Sequence, residues 1–479
     1  MNLIEVAWIP VILENNHSKS LSLHALYLNA EDIRDLVLSP PHRIAIMRLL
    51  LCITQAALDG PVDEGEWRSC KDKIIPESLK YLSTRQSLFH LYGDKPFLQI
   101  RDLEESRNAT LDKLDFGLAA GHTPTLFDHD ATEQGRTHRP GWIALMLTTF
   151  QCFSPGGTIG VTRWAGKKTN GRYAEHAPGL EGAAMHTLLR GKRLLDTIHL
   201  NLLTKEQVST LPGGKWGKPV WDIPPRSPSE KDSNENTRSY LGRLVPLSRA
   251  VLCCSEGTRM TLANGLSYPK LPAGRDPMAT VVHNEKRKEH HYLRVHTSRH
   301  PWRELGALLS LKRMGVAGAA LALDHLMDGG EGEIDVWVGG IAADQAKILD
   351  VAEWNFMLPL NLLFETQMTR YQRGVQLALR GESSLTFAVK EYGLAMKMED
   401  TSLQGFREKA KTTYWTALDN NYRVLVEVAC AIDKEMESWK NLLRTILFRA
   451  YREACPHESP RQIQAFSVGR KRLGIRDEQ

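Results

Sequence analysis

No stretch of this sequence stays apolar for the ~18 residues that a membrane-spanning helix needs. The opening residues, MNLIEVAWIPVILENN, have neither a basic start nor a long apolar run, which reads against a secretory leader. A cytoplasmic protein is expected, with no membrane partner. Cysteine is scarce and scattered: Cys52, Cys70, Cys152, Cys253, Cys254, Cys430 and Cys455 form an odd set without paired spacing. That excludes a disulfide framework. The vicinal Cys253-Cys254 pair lacks the matching second half of a zinc site, so reduced thiols and no metal are expected. The motifs of cofactor and nucleotide chemistry are missing as well. There is no GxxxxGK[ST], GGTIG at 156–160 is not GxGxxG, and HExxH, GxSxG and the zinc-deaminase pattern do not occur. No cofactor and no catalytic set are expected. Asp128-His129-Asp130 is the one carboxylate–imidazole group that suggests a metal, because alternate residues of a strand share a face. No further carboxylate cluster joins it. A metal-dependent nucleic-acid-processing enzyme on that loop is the alternative reading, and a plain RNA-binding scaffold is a third.

What is present describes a folded protein. The 479 residues exceed what one core usually organises, and 42% hydrophobic with 24% charged residues is an ordinary globular balance. The net charge of +5 says little by itself, but its distribution is uneven. Between Arg259 and Arg313 stand eleven Lys or Arg against four acids, a local +7. Such a segment favours a polyanion partner.

Residues 42–58, HRIAIMRLLLCITQAAL, read as a buried helix, and 185–203, MHTLLRGKRLLDTIHLNLL, as another. Residues 120–141 are polar with Gly and Pro and form a long loop, a kind that is usually functional. Residues 153–173 form a second loop, rich in Gly and basic residues. There Gly156 and Gly157 let backbone approach a groove, and Arg163, Lys167 and Lys168 can hold phosphates. The proline-rich stretch 213–238 reads as an exposed connection. TVVHN and HYLRVHT alternate as strands around the phosphate-binding candidates Lys286, Arg287 and Lys288, and DVWVGG at 335–340 reads as a strand ending in a Gly turn. From about 355 the pattern turns helical. Segments are expected near 356–380, 385–397 and 404–420, with a break at Gly381-Glu382-Ser383-Ser384. Leu425, Val428, Ala429, Ile432, Met436, Trp439, Leu442, Leu443, Ile446, Leu447 and Ala450 form one apolar stripe. The fold class is α+β: a large mixed α/β domain over 1–354, then a four-helix bundle over 355–479.

Several segments, in this order, resemble the CasA family, the large subunit of the type I-E CRISPR Cascade complex. They are WIPV at 8–11, LLCITQAA at 50–57, KPFLQI at 95–100, TLLRGKRLLDTIHLNLL at 187–203, NGL at 264–266 and GGIAADQAKILD at 339–350. The resemblance covers essentially the whole chain and implies a binding protein, not an enzyme. It implies recognition of a short protospacer-adjacent motif (PAM) in double-stranded DNA and opening of the duplex for guide RNA pairing. It also implies recruitment of a separate helicase-nuclease for antiviral defence. The implied partners are the other Cascade subunits, the 5′ end of the guide RNA, PAM-bearing duplex DNA and that helicase-nuclease. By the same resemblance Gln345 corresponds to a wedge between the strands, at the tip of a turn before a helix starting near Ala346. Gly156, Gly157, Thr158 and Ile159 correspond to a glycine loop at the minor groove. A basic finger falls on Thr258, with Arg259 and then Lys270 as neighbouring basic candidates. Phe127, Asp128 and His129 lie in the loop that docks the subunit against the guide and its neighbours.

Overall fold

The computed structural model describes residues 1–118, 135–154, 159–169, 183–311, 315–326, 332–344, 347–431 and 436–475. The chain divides into two compact units. The first takes Met1–Ser298, Ser310–Met327 and Ile334–Met357. The second takes Leu358–Gln479 together with Arg299–Leu309 and Asp328–Glu333, two segments that precede the boundary expected near 355.

The first unit mixes helices and small sheets. Its central helix, Pro40–Leu58, starts on two prolines, tolerated in a first turn whose N–H groups have no helical partner anyway. Every residue from Ile44 to Gln55 is buried, so this is a core helix and not a one-faced surface helix. A second core helix, Pro140–Phe153, repeats that design and packs against it. The described residues form four three-stranded sheets. In one of them Ile9–Leu13, which takes in most of WIPV, lies between Ser18–Leu21 and Ile33–Leu36. Arg259–Asn264 lies between Arg107–Thr110 and Arg249–Cys253. Glu333–Asp344 lies between His186–Arg190 and Lys347–Pro359. At the centre Arg48, 1% exposed, meets the buried Asp276 at 2.6 Å and donates to the carbonyls of Leu244 and Arg243.

Four expectations need correction here. The helix expected over 185–203 is a strand at His186–Arg190 and a helix only at Leu194–Leu200, because HTLLR pairs in register with Asp335–Gly339. Gly339-Gly340 is not a turn, since the strand runs on to Asp344. A Cβ at Gly339 would stand 2.6 Å from the Trp337 ring, so glycine makes room there for an indole lying along the strand. No helix begins near Ala346, because a second strand starts at Lys347 and runs to Pro359. Finally, 213–238 is not simply exposed: Val220 and Trp221 are buried, and Trp221 Nε1 donates to Tyr81 Oη at 2.8 Å.

Beside the single-turn helix Leu305–Leu308, the second unit contains five longer α-helices among the described residues: Glu365–Met396, Asp400–Asp419, Tyr422–Cys430, Glu437–Ala454 and Pro460–Arg470. The first runs unbroken through Gly381-Glu382-Ser383-Ser384, against the expected break. A side chain at 381 would collide with the Tyr414 hydroxyl, which donates to Ala378 O at 2.8 Å. Gly381 therefore serves close helix approach and not helix termination. The apolar stripe is buried at Leu425, Val428, Ala429, Trp439, Leu443, Ile446, Leu447 and Ala450, Met436 and Leu442 are only half-buried, and Ile432 lies outside the described residues. Trp302, from an earlier segment, joins this core and donates from Nε1 to Asp419 at 2.7 Å. No described helix is long and apolar enough to cross a membrane.

Candidate nucleic-acid interface

The strand Arg259–Asn264 organises the candidate site from both of its ends. At one end the Asn264 side chain donates from Nδ2 to Gly160 O at 2.8 Å and to Thr169 Oγ1 at 3.4 Å. Its backbone N–H donates to Thr162 Oγ1 at 3.1 Å, and its carbonyl accepts from Trp164 Nε1 at 3.2 Å. Arg249, on the neighbouring strand, donates to Asn264 Oδ1 at 3.0 Å and to Ser154 Oγ at 3.1 Å. One buried asparagine and one buried arginine thus tie down both sides of residues 155–158. Gly156, Gly157 and Thr158 themselves lie outside the described residues. Ile159 is 7% exposed, so its side chain anchors the loop from inside and is not offered to a groove. Gly160 adopts φ +94°, and the Arg107 guanidinium stands 3.3 Å from where its Cβ would be.

At the other end of the strand, about 17 Å away at ~3.3 Å per residue, the exposed Arg259 pairs in register with Thr110. Thr258 is half-buried, and its carbonyl accepts from Leu111 N at 3.0 Å. Asp112, 1% exposed, accepts from Arg136 N at 3.3 Å and lies 2.6 Å from His138 Nε2. The His138 ring stacks on Trp142 at 3.6 Å, and its backbone N–H donates to Gly257 O at 2.7 Å. The residues on both sides of 119–134 are therefore tied to the turn that carries Thr258 and Arg259. Phe127, Asp128, His129 and Asp130 lie outside the described residues. Nearby Lys113 is held below the ordinary lysine value by desolvation and then by the charges of Arg249 and Arg107.

The basic candidates separate on inspection. Arg163 sits 3.1 Å from Glu105 and 3.9 Å from Glu104, so its charge is already offset, whereas Lys167 and Lys168 are exposed. Lys286, Arg287 and Lys288 are exposed at the tip of the hairpin Val281–Asn284 with Glu289–Tyr292. Asn284 Oδ1 accepts from the backbone of Lys286 at 3.1 Å and of Arg287 at 3.2 Å, which shapes that tip. Lys270 is exposed beyond the strand end. The +7 segment is not one surface. Arg275 is 3% exposed, Arg299 pairs with Glu304, and Arg303 pairs with Asp419 inside the second unit. Gln345 falls between the strand ends Asp344 and Lys347 and is itself outside the described residues. Cys253 is buried within its strand and Cys254 half-buried. Among the described residues no group of three or more His, Cys, Asp and Glu is placed to hold a metal.

Sequence reasoning missed Arg107, Lys113 and the clamp made by Asn264 and Arg249. The only signal for the clamp was NGL itself, an asparagine before glycine in an apolar run. Nothing local marks Arg107, whose place depends on strand pairing 155 positions away in the chain (Leu262).

Comparison with known proteins bears on the whole chain. The model of the CRISPR-associated protein Cse1 family matches residues 2–450. The CRISPR-associated protein CasA/Cse1 of Thermus thermophilus is 26% identical over 507 residues, covering 99% of this chain and 96% of that protein. Thermobifida fusca Cse1 superposes with a TM-score of 0.78 at 19% identity, covering 99% of this chain and 98% of the other. A chain of a CRISPR RNA-guided surveillance complex superposes at 0.76 with 17% identity, covering 99% of both.

Proposed function

Because the chain belongs to the CRISPR-associated protein Cse1 family, we propose that it is the large subunit of a type I-E Cascade surveillance complex, acting in the cytoplasm by binding and not by catalysis. In this reading it recognises the PAM in duplex DNA, promotes opening of the duplex for guide pairing, and recruits a separate helicase-nuclease. The observation that carries it is the strand Arg259–Asn264, which roots the glycine loop at Asn264 and the Phe127 loop beside Thr258 and Arg259. Gly156, Gly157 and Thr158 approach the minor groove, with Ile159 as their anchor. Arg259 is the basic finger in preference to the half-buried Thr258, and Lys270 is the more distant candidate. Gln345 is the wedge, at a strand-to-strand connection. Lys167, Lys168, Lys286, Arg287 and Lys288 contact phosphates, joined by Arg107. Phe127, Asp128 and His129 dock the subunit on the guide RNA's 5′ end and on neighbouring subunits, where an aromatic side chain stacks on a base or fills a pocket.

The experiment is reconstitution with the remaining subunits and a guide. Strand separation on a PAM-bearing duplex should require this chain and be absent on a duplex without the PAM. Metal-dependent cleavage by the purified chain, lost on Asp128→Ala, would overturn the reading in favour of an enzyme.

A further inference from the structure

A cavity of about 20 Å3 lies inside the first unit. Its wall holds four arginines, Arg48, Arg238, Arg243 and Arg275, and no carboxylate. Three of the four are buried: Arg48 at 1%, Arg275 at 3% and Arg243 at 9% exposure. Asp276 meets Arg48 at 2.6 Å but is not part of the wall. The bonds from Arg243 go to backbone carbonyls, Ala273 at 3.3 Å, Arg275 at 3.1 Å and Gly274. Its buried Nε has no acceptor among the described residues. Carbonyl oxygens satisfy N–H groups but do not cancel a net charge, and buried charges are ordinarily paired. Consistent with that deficit, burial pushes the Arg243 guanidinium below the ordinary arginine value.

We propose that this cavity is a binding site for a small inorganic anion, chloride, which acts as the internal counter-ion of Arg243. Size sets the class. About 10–15 Å3 of occupied space holds one water, so the cavity admits a monatomic anion such as chloride. Arg238 is the exposed member of the wall, paired with Glu230 at 2.6 Å, and marks the side from which the ion enters. The site does not depend on the reading of the protein as a Cascade subunit.

The test uses the whole chain. Crystals grown in bromide should give an anomalous peak beside Arg243, and Val208→Ile, which adds a methyl group to the cavity wall, should remove it. In solution at constant ionic strength, exchanging glutamate for chloride should raise the unfolding temperature of the wild type. The rise should begin near the dissociation constant and then grow with the logarithm of chloride concentration, by about 1–2 °C between a tenth of and ten times that constant, and V208I should show none. If V208I does not fold, the two wild-type measurements decide alone. A cavity without anomalous signal, or equal unfolding temperatures in the two salts, overturns the proposal. A bromide peak without a chloride-dependent shift is binding at crystal concentration only, and overturns it too.

Discussion

The carboxyl of Asp276 is under opposed influences: burial raises it, and the Arg48 guanidinium, with His186 and the Met278 N–H, lowers it more. The net result holds it well below the usual carboxylate range. An unfolded Asp titrates near 3.9, so on acidification the unfolded chain takes up this proton first. The stability that the pair contributes is therefore complete above about pH 4 and is lost progressively below it. Asp276→Asn keeps an acceptor for Met278 but leaves Arg48 as an uncompensated buried charge. It should cost about 3–5 kcal/mol at neutral pH and flatten the acid limb of the stability curve. Denaturant titrations from pH 7 to pH 3 on both proteins measure this. An unchanged acid limb in the variant would show that the acid sensitivity arises elsewhere. Nothing in the sequence separates Asp276 from Glu285, Glu289 or Glu304, its fellow acids in the basic segment. Its role comes from a partner 228 positions away.

Elements differ in how far local signals decide them. TVVHN alternates and supplies the strand Val281–Asn284, and HYLRVHT supplies only His291 and Tyr292 to its partner strand Glu289–Tyr292. HTLLR, by contrast, fits helix or strand equally well, and only pairing with Asp335–Gly339 makes it a strand. Gly381 carries a break signal that the packing of Tyr414 overrides. The 281–292 hairpin supports a prediction of its own, because its basic tip is exposed and away from the core. Replacing Lys286→Ala, Arg287→Ala and Lys288→Asn, the last because Lys288 holds φ 54°, should weaken binding to PAM-bearing and PAM-less duplexes alike. Each phosphate that the tip no longer neutralises lowers the slope of log K against log salt by about 0.9. Affinities between 50 and 200 mM salt would read this directly. An unchanged slope would remove the tip from the electrostatic footprint.

At the scale of the whole molecule, duplex opening is the step in which Gln345 is proposed to act. Separating a base-pair step costs a few kcal/mol, with stacking near 1.4 kcal/mol per step. Offsetting half of that changes the opening equilibrium several-fold, since about 1.4 kcal/mol is tenfold. In the assembled complex Gln345→Ala should slow guide pairing several-fold on an intact duplex, and a bubble beside the PAM should restore it. Equal defects on both substrates would reduce Gln345 to an ordinary contact. By itself the sequence determined what depends on local pattern: the core helix at 42–58, the strand at TVVHN, the C-terminal helical stripe, and a series of segments whose order resembles one family. These are properties of neighbouring residues, and the period of burial carries them. Only the tertiary structure decided that Asn264 and Arg249 clamp one loop and that Asp112 and His138 root another on the same strand. It also decided that Arg163 is already paired and that Arg48, Arg243 and Arg275 share a cavity wall. Those relations join residues far apart in the chain, and burial and charge pairing exist only once the chain has folded.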